Sequence, residues 1–165
     1  MSGKTKFADK YVPCILTRIT DDNPQYHVDS QEKVISLEKV KQEILFNISQ
    51  ILNSRSRPQY NELNNDPEII RSVLGFGLSD FCGVSNTAKE VSILINEIKE
   101  QIKCFEPRLD PASIEVTLKE GVNLSNCSFA LEIKANYAIK SLEGSFLCLS
   151  YLDLESGFAS VEDNA

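Results

Sequence analysis

Glu106 and Arg108 stand two residues apart with Pro107 between them, where a helical pattern runs out and a strand pattern begins. A carboxylate there sits at the wrong end of the helix dipole, where a cation is the favoured charge. If Pro107 holds the segment extended, residues two apart point the same way. Glu106 and Arg108 then share one face, while Phe105, Pro107 and Leu109 anchor the other. The result is a charge pair on a stiff ledge, a form suited to recognition because its entropy is already restricted. The bland alternative is a helix terminator with a surface ion pair, worth only ~0–1 kcal/mol.

The same residues are poor catalytic equipment. A glycosidase needs two carboxylates flanking the bond it cuts, and Asp80, Asp110 and Glu115 make no diagnostic pair with Glu106. His27 is the single histidine, placed in a polar segment and expected to face solvent. The five cysteines are scattered singly, so neither a metal site nor a Cys-His nucleophile has its parts. Gly75-Phe76-Gly77 lacks the third glycine and the lysine of a phosphate loop. No cofactor or metal is expected.

The elements that must position these residues can be read from composition and spacing. With 42 % apolar and 25 % charged residues, the 165-residue chain has the makeup of one ordinary soluble domain. A formal net charge of −7 disfavours both nucleic acid and anionic membrane surfaces as partners. The dispersed cysteines read as reduced thiols, and no signal peptide or membrane span is legible. These features predict a cytoplasmic protein without membrane insertion.

Residues 1–35 read as an N-terminal arm. Within it Val12, Ile15, Leu16 and Ile19 form one apolar face, suited to docking on the body or on a partner, and the run Asp21, Asp22, Asn23, Pro24 marks a turn. Ser36 caps a first helix running to about Asn53, with Leu37, Val40, Ile44, Ile48 and Ile51 in stripe. Arg55 and Arg57 follow it as a small basic spot for an acidic partner. Asp66-Pro67-Glu68 opens a short second helix ending near Leu74. In the loop after it Leu78 and Phe81 plug the core, and Asp80 serves as a cap. Thr87 and Glu90 form the capping box of a third helix, whose stripe runs from Val91 to Phe105. Pro107 ends it.

From there the period is two. Strands are expected around Ile114, Val116 and Leu118, then from Cys127 to Tyr137, then from Phe146 to Leu154, with turns at residues 119–123 and 140–145. The first of these, with Glu115, Thr117 and Lys119 outward, reads as a protected edge. The third is apolar on both faces and belongs either at the centre or at a docking edge. Residues 156–165 read as a polar tail behind a domain at 36–155. The order predicts an α+β fold with three helices packed on one face of a small, mainly antiparallel sheet.

Four motifs in order carry a family resemblance: "LTRITDD" (residues 16–22), "ILNSR" (51–55), "RSVLGFGLSDF" (71–81) and "FEPRL" (105–109). Over residues 11–155 the chain resembles the TssE family of type VI secretion baseplate subunits. These belong with the contractile phage-tail baseplate wedge proteins once described as lysozyme-like. Ser79 departs from the pattern, since the family usually has proline there. The resemblance implies a structural, non-enzymatic role beside TssF-, TssG- and TssK-like wedge subunits and the first sheath ring. It also implies a fold like the sheath's strand-exchange domain, and it gives Glu106, Pro107 and Arg108 the task of holding the wedge together. Arg55 and Asp80 are further candidates for partner binding. The competing reading, drawn from the old family label, is a peptidoglycan-cleaving glycosidase.

Overall fold

A 17-residue helix, an 18-residue helix and four antiparallel strands dominate the computed structural model of the chain. It describes residues 11–20, 24–25, 35–56, 66–83, 87–119, 128–139 and 144–163. Asp21, Asp22, Asn23, His27, Arg57 and Cys127 lie outside the described residues, as do 120–123 and 140–143 of the two expected turns. There are two compact units, Met1–Glu43 and Ile44–Ala165.

In the first unit, the backbones of Tyr11 and Ile35 exchange hydrogen bonds of 3.1 and 2.9 Å, and both side chains are buried. α1 (Ile15–Ile19) follows. Its expected apolar face forms, but it stays in solvent: Val12, Ile15, Leu16 and Ile19 are 73, 76, 54 and 74 % exposed. Glu43 accepts the Cys14 N–H at 3.1 Å, fixing the entry to α1.

α2 (Leu37–Asn53) begins after Ser36, whose hydroxyl accepts the Lys39 N–H at 3.4 Å. Val40, Ile44, Ile48 and Ile51 are buried as their spacing predicts, whereas Leu37 is exposed.

In the second unit, Asp66 caps α3 (Pro67–Ile70) by accepting the Glu68 N–H at 3.0 Å. The helix stops short of Leu74 because Ser72 intervenes. Its hydroxyl donates to the Ile69 carbonyl at 2.7 Å and accepts the Leu74 N–H at 3.2 Å, so the chain restarts as a 3₁₀ turn, Val73–Gly75. α4 (Ala88–Phe105) opens on Thr87, whose hydroxyl accepts the Glu90 N–H at 3.4 Å and donates to the Glu90 carboxylate at 2.9 Å. Val91, Leu94, Ile98 and Ile102 form its buried stripe.

The strands are β1 (Glu115–Leu118), β2 (Ser128–Asn136), β3 (Ser145–Asp153) and β4 (Ala159–Asp163), in the spatial order β1-β2-β3-β4. One face carries Val116, then Phe129, Leu131, Ile133 and Ala135, then Phe146, Cys148, Ser150 and Leu152, all buried. α4 packs against β1. The other face carries Glu115, Thr117, Glu132, Lys134, Ser160 and Glu162. Leu149 lies on that face, buried and flanked in register by Glu132 and Glu162.

The α+β architecture is as read, but with four α-helices and four strands among the described residues rather than three and three. The expected polar tail at 156–165 contains β4. Only Ala159 and Val161 alternate there against polar partners, too short a pattern to announce a strand. With β4 in place, β3 is central, and β1 and β4 are the edges.

Candidate functional site

Glu106 does not stand on a ledge. The segment after α4 is a turn, closed by the Leu109 N–H donating to the Glu106 carbonyl at 3.2 Å, and not an extended run. The turn reverses the expected facing. Glu106 is fully buried and Pro107 is exposed. Leu109 is buried as anticipated. The proline fixes one backbone angle of the turn, which suits the start of a turn as well as it suits an extended segment.

The buried carboxylate is closely satisfied. Arg108 binds it side-on, Nε to Oε1 and Nη2 to Oε2, both at 2.7 Å. The Arg108 backbone N–H adds a bond to Oε1 at 3.2 Å. Asn47, on α2, donates to Oε2 at 2.9 Å and to the Phe105 carbonyl at 3.0 Å. Bidentate, charge-assisted bonds of this kind are the strong class. Glu106 and Arg108 do meet, as the sequence suggests, but in the interior, and Asn47 is a member that sequence reasoning missed. A general acid must present an oxygen to its substrate. Both oxygens of Glu106 are occupied within the protein.

A second group holds the loop between α3 and α4. Gln101 accepts the Gly77 N–H at 3.1 Å and donates to the Gly75 carbonyl at 2.9 Å. Glu97, one turn earlier, accepts from the Ser79 N–H at 2.6 Å and the Ser79 hydroxyl at 2.7 Å. Both side chains are buried, so these bonds replace water that cannot reach them. On its other side the loop pairs with the chain after α2: Leu78 N–H to the Ser54 carbonyl and Ser56 N–H to the Leu78 carbonyl, each 3.0 Å. Gly77 has φ of +101°, and a Cβ there would lie 2.6 Å from the Ser54 carbonyl oxygen. Only glycine suits that position. Leu78 and Phe81 do enter the core, at 0 and 2 % exposure.

The third group grips the β3–β4 hairpin. Asn53, the last residue of α2, accepts the Ala159 N–H at 2.9 Å and donates to the Ala159 carbonyl at 2.8 Å. Its amide thus stands in for a neighbouring strand. Arg55 donates to the carbonyls of Leu52 at 3.1 Å and Ser54 at 3.3 Å, and to that of Gly157. Its guanidinium carbon lies 4.3 Å from the centroid of the Phe81 ring. The half-buried Arg55 is thus engaged within the chain.

Asp80 is exposed and accepts the Cys82 N–H at 3.0 Å. That bond, the Cys82 thiol and the Arg55 charge hold its carboxyl below the usual 3.8. Asp80 in turn pushes the Cys82 thiol up. Asp153 organises the hairpin loop by accepting from the Ser156 hydroxyl at 2.7 Å and the Glu155 N–H at 2.9 Å, which lower its own pKa.

Cys14, Cys82, Cys104 and Cys148 are free thiols. Among the described residues no three His, Cys, Asp or Glu side chains gather as a metal site, and no helix is long and apolar enough to cross a membrane.

No curated protein and no solved structure matches the chain. The family described as "Baseplate wedge protein gp25" matches residues 38–141. That span runs from α2 to just past β2. It contains the Glu106 turn, the strapped loop and the Asn53–Arg55 end of α2, which together make up most of the geometry above. The chain belongs to the baseplate wedge protein gp25 family.

Proposed function

We propose that this protein is a structural component of a type VI secretion baseplate, joining the wedge to the first ring of the contractile sheath in the cytoplasm. The observation that carries the reading is the open edge of β4. Among the described residues no further strand lies beyond β4, and Asn53 meets its outer side at Ala159. An open strand edge invites pairing with an extended segment of another chain, which gives main-chain affinity and side-chain register. Membership of a baseplate wedge family supports the setting.

The partners are wedge subunits of the TssF, TssG and TssK kinds and the sheath subunit. The Glu106-Pro107-Arg108 turn serves the wedge contact with Pro107 outward and Glu106 bracing Arg108 from beneath. Arg55 and Asp80 act indirectly, by fixing the hairpin and the loop beside it. The role is non-enzymatic. A burial of Glu106 with both oxygens bonded supports this, because a lysozyme-like reaction needs an acid that meets its substrate.

The test is Val161→Pro. Parity along β4 turns the Val161 N–H outward, so proline there removes no bond to β3. The variant is expected to keep its melting temperature and its wedge partners in a pull-down, while losing the sheath. Normal sheath assembly on baseplates that contain the variant would overturn the reading. Clearing of purified peptidoglycan that disappears in Glu106→Gln would restore the enzymatic one.

A further inference from the structure

Resting on that reading, we infer that Asn53 sets the limit to which a partner strand can pair along β4, and that the partner presents a basic residue opposite Glu162. The argument begins with the ladder. The Asp153 N–H donates to the Phe158 carbonyl at 2.9 Å, so 153 and 158 are a hydrogen-bonding pair. Residues alternate along an antiparallel ladder. Ser160 and Glu162 therefore bond towards β3, whereas Ala159 and Val161 turn their backbone groups outward. The Asn53 amide, on both polar groups of Ala159, confirms this parity independently.

Asn53 occupies the first outward slot. It is itself fixed, because its nitrogen also donates to the Ser49 carbonyl one helical turn back at 2.9 Å. A partner strand lying alongside β4 can therefore bond first at Val161. A slip of two residues towards the hairpin would require it to displace Asn53. A one-residue slip would face residues whose polar groups point away. Pairing can therefore reach as far as Val161 and no nearer the hairpin.

The side chains then specify chemistry. Val161 is half-buried on the core face of the sheet, opposite Ser150. Glu162 is exposed on the other face with Ser160, and Phe158 next along is 61 % exposed. A partner residue beside Val161 extends the apolar face, and its neighbour beside Glu162 meets a carboxylate. A lysine or arginine there makes a favourable cross-strand pair. A second copy of this chain is the wrong partner, since two β4 edges laid together would oppose glutamates in a protein already at net charge −7.

The experiment uses full-length protein and two nine-residue synthetic peptides that alternate valine with lysine or valine with glutamate, each spin-labelled at one end. Amide NMR is expected to show Val161 newly protected from exchange by the lysine peptide. The lysine peptide should bind ~2- to 5-fold more tightly than the glutamate peptide, the range that one cross-strand pair supports. Line broadening from the label should place the peptide beyond Ala159 and not alongside it. In Asn53→Ala pairing should extend to Ala159, which the peptide then protects in place of the lost amide.

Equal binding of the two peptides, a peptide that fails to protect Val161 in the wild type, or one that leaves Ala159 unprotected in Asn53→Ala would each overturn the inference. The first two are read on unaltered protein, so they stand even if the variant unfolds. Self-association through β4 would overturn it as well. Sheath capture that survives Val161→Pro defeats the functional reading instead, which keeps the two failures apart.

Discussion

The two long helices end in different ways, and both ends hold backbone that no ladder supports. α4 ends on Glu106, a charge. Being fully buried, it is closed off by Arg108 and Asn47, with its oxygens turned inward. α2 ends on Asn53, a neutral amide. Half-buried, it reaches across to β4 and covers Ala159, with no further strand beside β4 among the described residues. A buried charge tolerates no vacancy, because an unpaired ion in a dry site costs several kcal/mol. An amide can guard one position of an edge and leave the next to a partner. The carboxylate end is therefore a lock, and the amide end is a limit stop.

The sharpest way to break this comparison is at Arg108. Arg108→Ala leaves Glu106 buried and uncompensated and should cost ~3–5 kcal/mol of unfolding free energy in urea. Glu106→Gln keeps the volume and leaves Arg108 a partly exposed cation, so it should cost only ~1–3 kcal/mol. Equal losses would mean that the carboxylate is not the group that needs closing.

Ser79→Pro asks whether the second buried carboxylate, Glu97, obeys the same rule. It removes both donors to Glu97 and should cost ~2–4 kcal/mol. Combining it with Glu97→Leu should recover most of that loss, by a double-mutant cycle in urea. No coupling would show that Glu97 finds other partners. Proline is the usual residue of the resembling family here, so the pair Ser79–Glu97 is a local alternative to a rigid loop.

Gly157→Ala tests the softer end. The glycine has φ of +68°, and an added Cβ would lie 2.5 Å from Cys82 Sγ and 2.9 Å from Arg55 Nη2. The expected cost is ~1–3 kcal/mol, with faster exchange at Ala159 as the hairpin loosens. Unchanged exchange there would separate the Arg55 grip from the Asn53 stop.

The smallest effect is in acid. Asp80 and Asp153 titrate below 3.8 in the folded protein, so the stability they contribute is present above that value and is lost as pH falls through their folded pKa values. Asp80→Asn and Asp153→Asn should each lower the plateau of a stability-against-pH curve near neutrality and flatten its acid limb, so that variant and parent converge as pH falls. Steepening would reverse the sign.

Periodicity alone makes the two long helices, the capping box at Thr87 and the buried face of β2 legible. Long stripes repeat a signal often enough to be read. β4 was hidden because its strand rests on two apolar residues and on Asp153 and Gly157, whose loop chemistry lies upstream of it. At the site, Glu106 and Arg108 could be paired from spacing, but their direction could not. Facing depends on whether Pro107 starts a turn or extends a strand, and proline permits both. Asn47 lies 59 residues from Glu106 and Asn53 lies 106 from Ala159. Nothing local marks either asparagine as more than a helix residue.

Those separations also set an order of events in time. The strands of a meander meet their neighbours across short connections, so β2 and β3, then β3 and β4, can zip early. The Asn53 contact must close a far longer loop and belongs late in folding. For an interval the hairpin then exists with Ala159 uncovered, and the nascent sheet is least selective about what pairs with it. A φ-value near zero at Asn53, from chevrons of Asn53→Ala, would place that interval after the main barrier. Slow steps that prolong it should show first as misassembly and only later as lost stability.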